Sequence, residues 1–136
     1  MSFGRLYSVA VLGAVAMAQT QAEKDAYPEH AEKFEKWGVT WEPIKVKTED
    51  GWTLTVMHPT GDRNGPWKVT KNAVLFVHGM GGDATEFEST ATWHEGDPMA
   101  FQLGAMGYDI YLQNNRLTHT SNVHETMTPD QEEFWD

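Results

Sequence analysis

The sequence predicts an α/β fold, a β-hairpin followed by a strand, helix, strand crossover. Asp50-Gly51 separates two alternating runs, Trp41 to Lys47 and Trp52 to Met57. Asp-Gly at such a junction is the strongest short-range hairpin signal, because Gly tolerates the positive φ of the turn. The apolar run Ala73-Val74-Leu75-Phe76-Val77 then breaks into His78-Gly79-Met80-Gly81-Gly82, the pattern of a buried strand delivering a backbone turn to one end of a sheet. Tyr108-Asp109-Ile110-Tyr111-Leu112 follows a helical pattern and completes the order of a parallel crossover.

Length and composition set bounds on these elements. The 136 residues allow one domain, and a hydrophobic fraction of 40% with six Trp, six Phe and four Tyr is enough for a packed core. Ten Lys plus Arg against twenty Asp plus Glu give a formal charge of -10, which argues against nucleic acid and anionic membranes as electrostatic partners. From Met80 onward the only strong base is Arg116. This acidic half reads as a solvated surface and not as a cation site. With no Cys, no disulfide framework is available.

In chain order, residues 1–18 read as a signal peptide. Arg5 is the basic region, Leu6 to Ala18 the apolar region, and Ala16-Met17-Ala18 the small-x-small cleavage pattern. The apolar core is too short for a stable transmembrane span, so the expectation is secretion or entry into a lysosomal or vacuolar lumen. Residues 19–39 read as a linker or short helix: Ala22, Ala26, Ala31 and Phe34 offer a thin apolar face, and Gly38 a C-terminal stop. The hairpin follows, then a loop from His58 to Lys71 carrying Pro59, Gly61, Asp62, Asn64, Gly65 and Pro66. After strand 73–77, the glycine turn and a polar stretch, Met99, Phe101, Leu103 and Met106 mark a helix. It starts near Asp97-Pro98, on the N-cap and first-turn Pro rules, and stops at Gly107.

The chemistry-bearing candidate is the turn 78–82. Glycines let the main chain approach a ligand and point N–H groups inward. Such donors stabilise the oxyanion of an acyl-transfer intermediate by roughly 3–4 kcal/mol each in a dry site; an ordinary strand-to-helix loop is the alternative reading. His119 and His124 with Glu125 lack the i, i+4 spacing of a zinc helix and read as loop histidines, so no metal or cofactor is assigned. Trp93-His94-Glu95 and Trp135 read as packing or surface residues, and Asp109 as structural. Trp41 and Trp52 are candidates for cross-strand pairing or for core packing.

Taken together, the motifs resemble the acid lipase branch of the α/β-hydrolases, the family of lysosomal and gastric lipases. The resemblance rests on Val46-x-Thr48-Glu49-Asp50-Gly51-Trp52-x-Leu54, Val74-Leu75-Phe76-Val77-His78-Gly79 and Gly107-Tyr108-Asp109-Ile110-Tyr111-Leu112, followed by Asn114-Asn115-Arg116 and Gln131-Glu132-Glu133-Phe134-Trp135-Asp136. It covers about residues 40 to 136, which it marks as the N-terminal part of a lipase domain with a partial α/β-hydrolase fold. It implies hydrolysis of lipid carboxylic esters, triacylglycerols or sterol esters, through a Ser-His-Asp triad. It also implies that the Met80 N–H is an oxyanion donor, supported by His78, Gly79 and Gly81, with His78 bracing the loop and not serving as general base.

Two departures from the family pattern stand out. Gln113 and Leu117 occupy positions where family members usually carry glycine, which puts the loop between them in question. The family's Gly-x-Ser-x-Gly elbow lies downstream of the Phe-Trp-Asp element, and none of Ser2, Ser8, Ser89 and Ser121 sits between paired glycines. The expectation is therefore a chain without nucleophile, acid or catalytic His, unstable and hydrolytically inactive alone. The edge of strand 108–112 is expected to be exposed. The competing reading is a secreted non-catalytic lipase-like fragment or binding module.

Overall fold

The computed structural model describes residues 22, 25–90 and 96–135. The signal-peptide reading and Trp93-His94-Glu95 fall outside the described residues. Helix α1, Pro28–Trp37, begins with Pro at a position whose N–H has no helical acceptor in any case. It ends at Gly38 in the left-handed region, φ 67°, where the Val39 N–H bonds back to the Phe34 carbonyl at 2.9 Å.

Strands β1, Thr40–Lys47, and β2, Trp52–Asp62, form the antiparallel hairpin, with Gly51 at φ 92° in its turn. β2 runs five residues beyond Met57, so the loop expected from His58 is strand as far as Asp62. The chain absorbs its turn-forming residues with a bulge: Trp41 faces Pro59 while Thr40 faces Gly61, leaving Thr60 as the extra residue. Asp62 then closes a tight turn by accepting the Asn64 N–H at 2.7 Å, and β3, Gly65–Pro66, returns beside β2.

β4, Ala73–Val77, and β5, Asp109–Asn114, pair in parallel, and β5 pairs antiparallel with β2. The resulting order is β1-β2-β5-β4, with the short strand β6, Val123–His124, beside β2. Two expectations change here. β5 lies inside the sheet, whose edges along this order are β1 and β4. Nor is β4 buried on both faces: Val74 and Phe76 pack inward, whereas Leu75 and Val77 are 56% and 52% exposed, because no described residue covers their face.

The crossover helix α2, Met99–Ala105, starts one residue later than the capping rules suggest. Pro98 is its N-cap, and Asp97 contributes only a main-chain carbonyl, which accepts the Gln102 amide at 2.7 Å. Gly107, φ 96°, stops the helix, and a Cβ there would meet Thr70 Oγ1 at 2.5 Å. α1, α2 and a 3-10 turn, Ala84–Glu88, cover one face of the sheet. The core between them contains Phe34, Trp41, Met57, Phe101, Ile110 and Leu112.

Trp41 and Trp52 do not pair across the hairpin. Trp41 stacks on Phe34 with ring centroids 4.8 Å apart, while Trp52 packs on Phe134 at 4.8 Å and on His124 at 5.2 Å. The two tryptophans lie near opposite ends of the hairpin, so each is recruited by the segment that folds over its own end. On the other sheet face Asp109 has the structural role expected of it: His58 Nε2 contacts its carboxylate at 2.9 Å and the Tyr111 hydroxyl donates to it at 2.8 Å.

Candidate oxyanion site

β4 ends at Val77, and the chain turns at once: the Gly82 N–H bonds to the Gly79 carbonyl at 3.2 Å, with Gly81 at φ 82°. A four-residue turn with positive φ at its third position is a type II turn, which glycine adopts without strain. It places Met80 at the second position with its side chain fully exposed. The Met80 N–H has no hydrogen-bond partner among the described residues. The turn and residues 115–119 line an open cleft of about 610 Å³, a volume in the range of small-molecule sites.

His78 is the brace of this turn. Its Nδ1 lies 2.8 Å from the Gly79 carbonyl, and its Nε2 accepts the Asn115 N–H at 3.1 Å. A nitrogen that accepts a backbone N–H carries no proton, so the ring is the Nδ1–H tautomer and donates to Gly79. Both nitrogens are thus committed to holding the turn against the end of β5.

The neighbouring loop is built by the Asn114-Asn115-Arg116 element, whose three side chains point to different tasks. Asn114 is fully buried and accepts the Ala84 N–H at 2.9 Å, while its main-chain carbonyl accepts the Ser121 hydroxyl at 2.9 Å. Asn115 meets His78 through its backbone and accepts the Gln113 side-chain amide at 2.7 Å. Arg116 reaches back to Asp50 at 2.8 Å in the hairpin turn. The two departures from glycine resolve differently. Gln113 is an ordinary strand residue, but Leu117 sits at φ 68°, the one non-glycine residue with positive φ among the described residues. The loop keeps a left-handed geometry that a leucine adopts at a cost of about 1–2 kcal/mol.

Behind the turn, Asp83 caps the 3-10 segment by accepting the Thr85 N–H at 2.8 Å. Partial burial acts to raise its carboxyl, but the hydrogen bonds from Thr85 outweigh it and hold the group below its ordinary range. Sequence reasoning named Asn114 only as part of the Asn114-Asn115-Arg116 motif and missed its buried role, although its inward position after Ile110 and Leu112 in a period-two strand is a legible signal of a buried polar group. It also missed the buried pair of His30 and Glu88. Of the serines named from sequence, Ser121 is fully buried and accepts the Thr55 N–H at 2.8 Å, and Ser89 is an exposed acceptor of Lys33 at 3.0 Å. His124 binds the Asp50 carbonyl at 2.8 Å and Glu125 pairs with Lys47 at 2.8 Å, so neither joins His119 in a cluster. No group of three potential metal ligands occurs among the described residues.

A parallel strand that turns through His-Gly into an open cleft, beside a crossover helix and an antiparallel hairpin, is consistent with a partial α/β-hydrolase fold. Residues 30–90 match the family model described as the partial alpha/beta-hydrolase lipase region. The chain is 31% identical over 115 residues to lipase member M of Mus musculus, covering 84% of this chain and 26% of that protein. It is 31% identical over 100 residues to the lysosomal acid lipase/cholesteryl ester hydrolase of Homo sapiens, covering 73% and 24%. Gastric triacylglycerol lipase of Bos taurus is 34% identical over 100 residues, with 73% and 24% covered. These relatives are acid lipases, and the chain, similar to them over most of its own length, spans about a quarter of theirs.

Proposed function

We propose that this chain carries the oxyanion-loop region of a lipase that hydrolyses carboxylic esters of lipids, triacylglycerols or sterol esters. The observation that supports it is the Met80 N–H, without an intramolecular partner among the described residues and held at the mouth of the cleft by the His78 brace. A preorganised donor of this kind favours the negative oxygen of a tetrahedral intermediate over the neutral carbonyl. Gly81 serves it by adopting the positive φ of the turn, and the space beside both glycines is open, with nothing within 4 Å of a Cβ position at Gly79 or Gly81.

The 136 residues hold no Gly-x-Ser-x-Gly, so nucleophile, acid and catalytic His are assigned to sequence outside them, and this span alone is inactive. Residues 1–18 act as a signal peptide, 19–39 as a leading segment with a short helix, and 40–136 as the N-terminal part of the lipase domain. The route is secretory, ending outside the cell or in a lysosomal or vacuolar lumen. No helix among the described residues is long and apolar enough to cross a membrane.

The test begins with the transcript beyond the Asp136 codon. An in-frame Gly-x-Ser-x-Gly, with hydrolysis of a triacylglycerol or sterol ester that is lost in Met80→Pro and kept in Met80→Leu, is the expected result. A stop codon with no hydrolysis of even a short-chain ester overturns the enzyme reading in favour of a secreted binding module.

A further inference from the structure

α1 is fastened to the turn behind the oxyanion loop by one buried contact. His30 Nδ1 lies 2.6 Å from Glu88 Oε1, and the two side chains are 3% and 0% exposed. The second carboxyl oxygen, Glu88 Oε2, is buried without a partner among the described residues. An ionised carboxylate would leave that oxygen charged in a dry place, whereas a carboxylic acid donating through Oε1 leaves only a neutral carbonyl. That orphaned oxygen places the proton on Glu88, with His30 Nδ1 as acceptor.

The surroundings agree. Burial pushes the Glu88 carboxyl up, against the opposing pull of His30 and Lys33 from α1, and Asp83 ahead of the turn adds to the upward push. Lys33 is itself engaged by Ser89 at 3.0 Å. Glu29, Glu32 and Lys36 of α1 line the same cleft as Glu88 and Lys33, α2 and β4 bring no titratable side chain, and Asp109 and Tyr111 of β5 are occupied with each other and with His58 on the opposite sheet face. β5 holds the turn on its other side, where the Ala84 N–H bonds to Asn114, and α1 makes a further contact through Trp37 Nε1, which donates to the Glu88 carbonyl at 3.1 Å.

We propose that Glu88 and His30 are positioning residues that share one buried proton, a latch that fixes α1 to the turn behind the oxyanion loop in acid and releases it when the proton is lost. Its catalytic consequence rests on the reading of 78–82 as an oxyanion loop; the latch itself does not. The sign follows from linkage. Up to the ordinary histidine range the unfolded chain carries one proton, on its histidine, for the one the folded pair holds; above that range the folded pair still holds a proton that the unfolded chain has lost. The folding equilibrium then falls by up to about tenfold per pH unit until the folded Glu88 ionises.

The experiment is a pH titration of the full chain labelled with ¹³C at the glutamate side-chain carboxyls, read by NMR beside amide hydrogen exchange at Gly82 and Ala84. One carboxyl should stay protonated after the others have ionised, and its signal should be missing in Glu88→Gln. Protection at Gly82 and Ala84 should drop several-fold as that carboxyl ionises, and stay flat in Glu88→Gln, whose amide does not titrate and can hydrogen-bond His30 Nδ1 as donor or acceptor. A Glu88 carboxyl that titrates with the rest, or protection that ignores its ionisation, overturns the latch. The wild-type titration decides the matter even where the variant fails to fold. Neither readout involves an ester, so absent hydrolysis would overturn the proposed function and leave the latch standing.

Discussion

Replacing His78 by Ala removes the brace of the oxyanion turn, and the loss can be worked from its two bonds. Nδ1–H to the Gly79 carbonyl spans 2.8 Å, and the Asn115 N–H to Nε2 spans 3.1 Å. Each contributes about 1 kcal/mol net, and leaving the Asn115 N–H without its acceptor adds up to about 1 kcal/mol more. His78 is 9% exposed, so water replaces little of this directly. The sum is a loss of about 2–3 kcal/mol, or roughly 6–15 °C in Tm for a chain of this size. His78→Asn, whose shorter amide retains one bond at best, should lose about half as much. Denaturant unfolding gives the stability, and hydrogen exchange at the Asn115 amide tests the mechanism. A loss below about 0.5 kcal/mol, or an Asn115 amide equally protected in His78→Ala, would refute the assignment of His78 as brace.

Leu117→Gly should stabilise the chain by up to about 1 kcal/mol in denaturant unfolding, the relief of left-handed strain less the added backbone entropy of glycine; a destabilised variant would mean that leucine packing outweighs the strain. Phe134→Ala should cost about 3–5 kcal/mol, because Phe134 is 1% exposed and packs on Trp52; a loss under about 1 kcal/mol would show that the C-terminal segment is not docked on the hairpin. Asp109 titrates against partial burial, which acts to raise it, and hydrogen bonds from His58 and Tyr111, which win and hold it below the ordinary range. A depressed carboxyl stabilises the fold above its unfolded value, and that contribution fades as pH falls through the folded one. Asp109→Asn should therefore melt earlier than wild type at neutral pH, with the two Tm values converging in strong acid; a constant difference would place the effect in packing.

The local elements were legible wherever a few neighbouring residues decide the geometry. Asp50-Gly51 specified the hairpin turn because positive φ is a property of one residue, realised at φ 92°. Gly107 ended the crossover helix for the same reason, and β5 declared itself through alternating Ile110 and Leu112. The extension of β2 through Pro59 was hidden, since the bulge that accommodates it depends on which β1 residue lies opposite. The exposure of Leu75 and Val77 was hidden too: an apolar run fixes that a strand wants covering, but not whether a neighbour supplies it.

At the site, the sequence by itself determined the turn 78–82, its glycines and the resemblance to acid lipases, because these depend on residue type and order along the chain. It also indicated that His78 would support the loop. The tertiary structure alone decided which groups that imidazole holds, since Asn115 is 37 residues away and meets it only once β4 and β5 pair in register. The same holds for His30 and Glu88, separated by 58 positions and joined at 2.6 Å only when α1 docks over the 3-10 turn. Chain order sets local backbone preference; burial and proton placement belong to contacts that form when distant segments exclude water together.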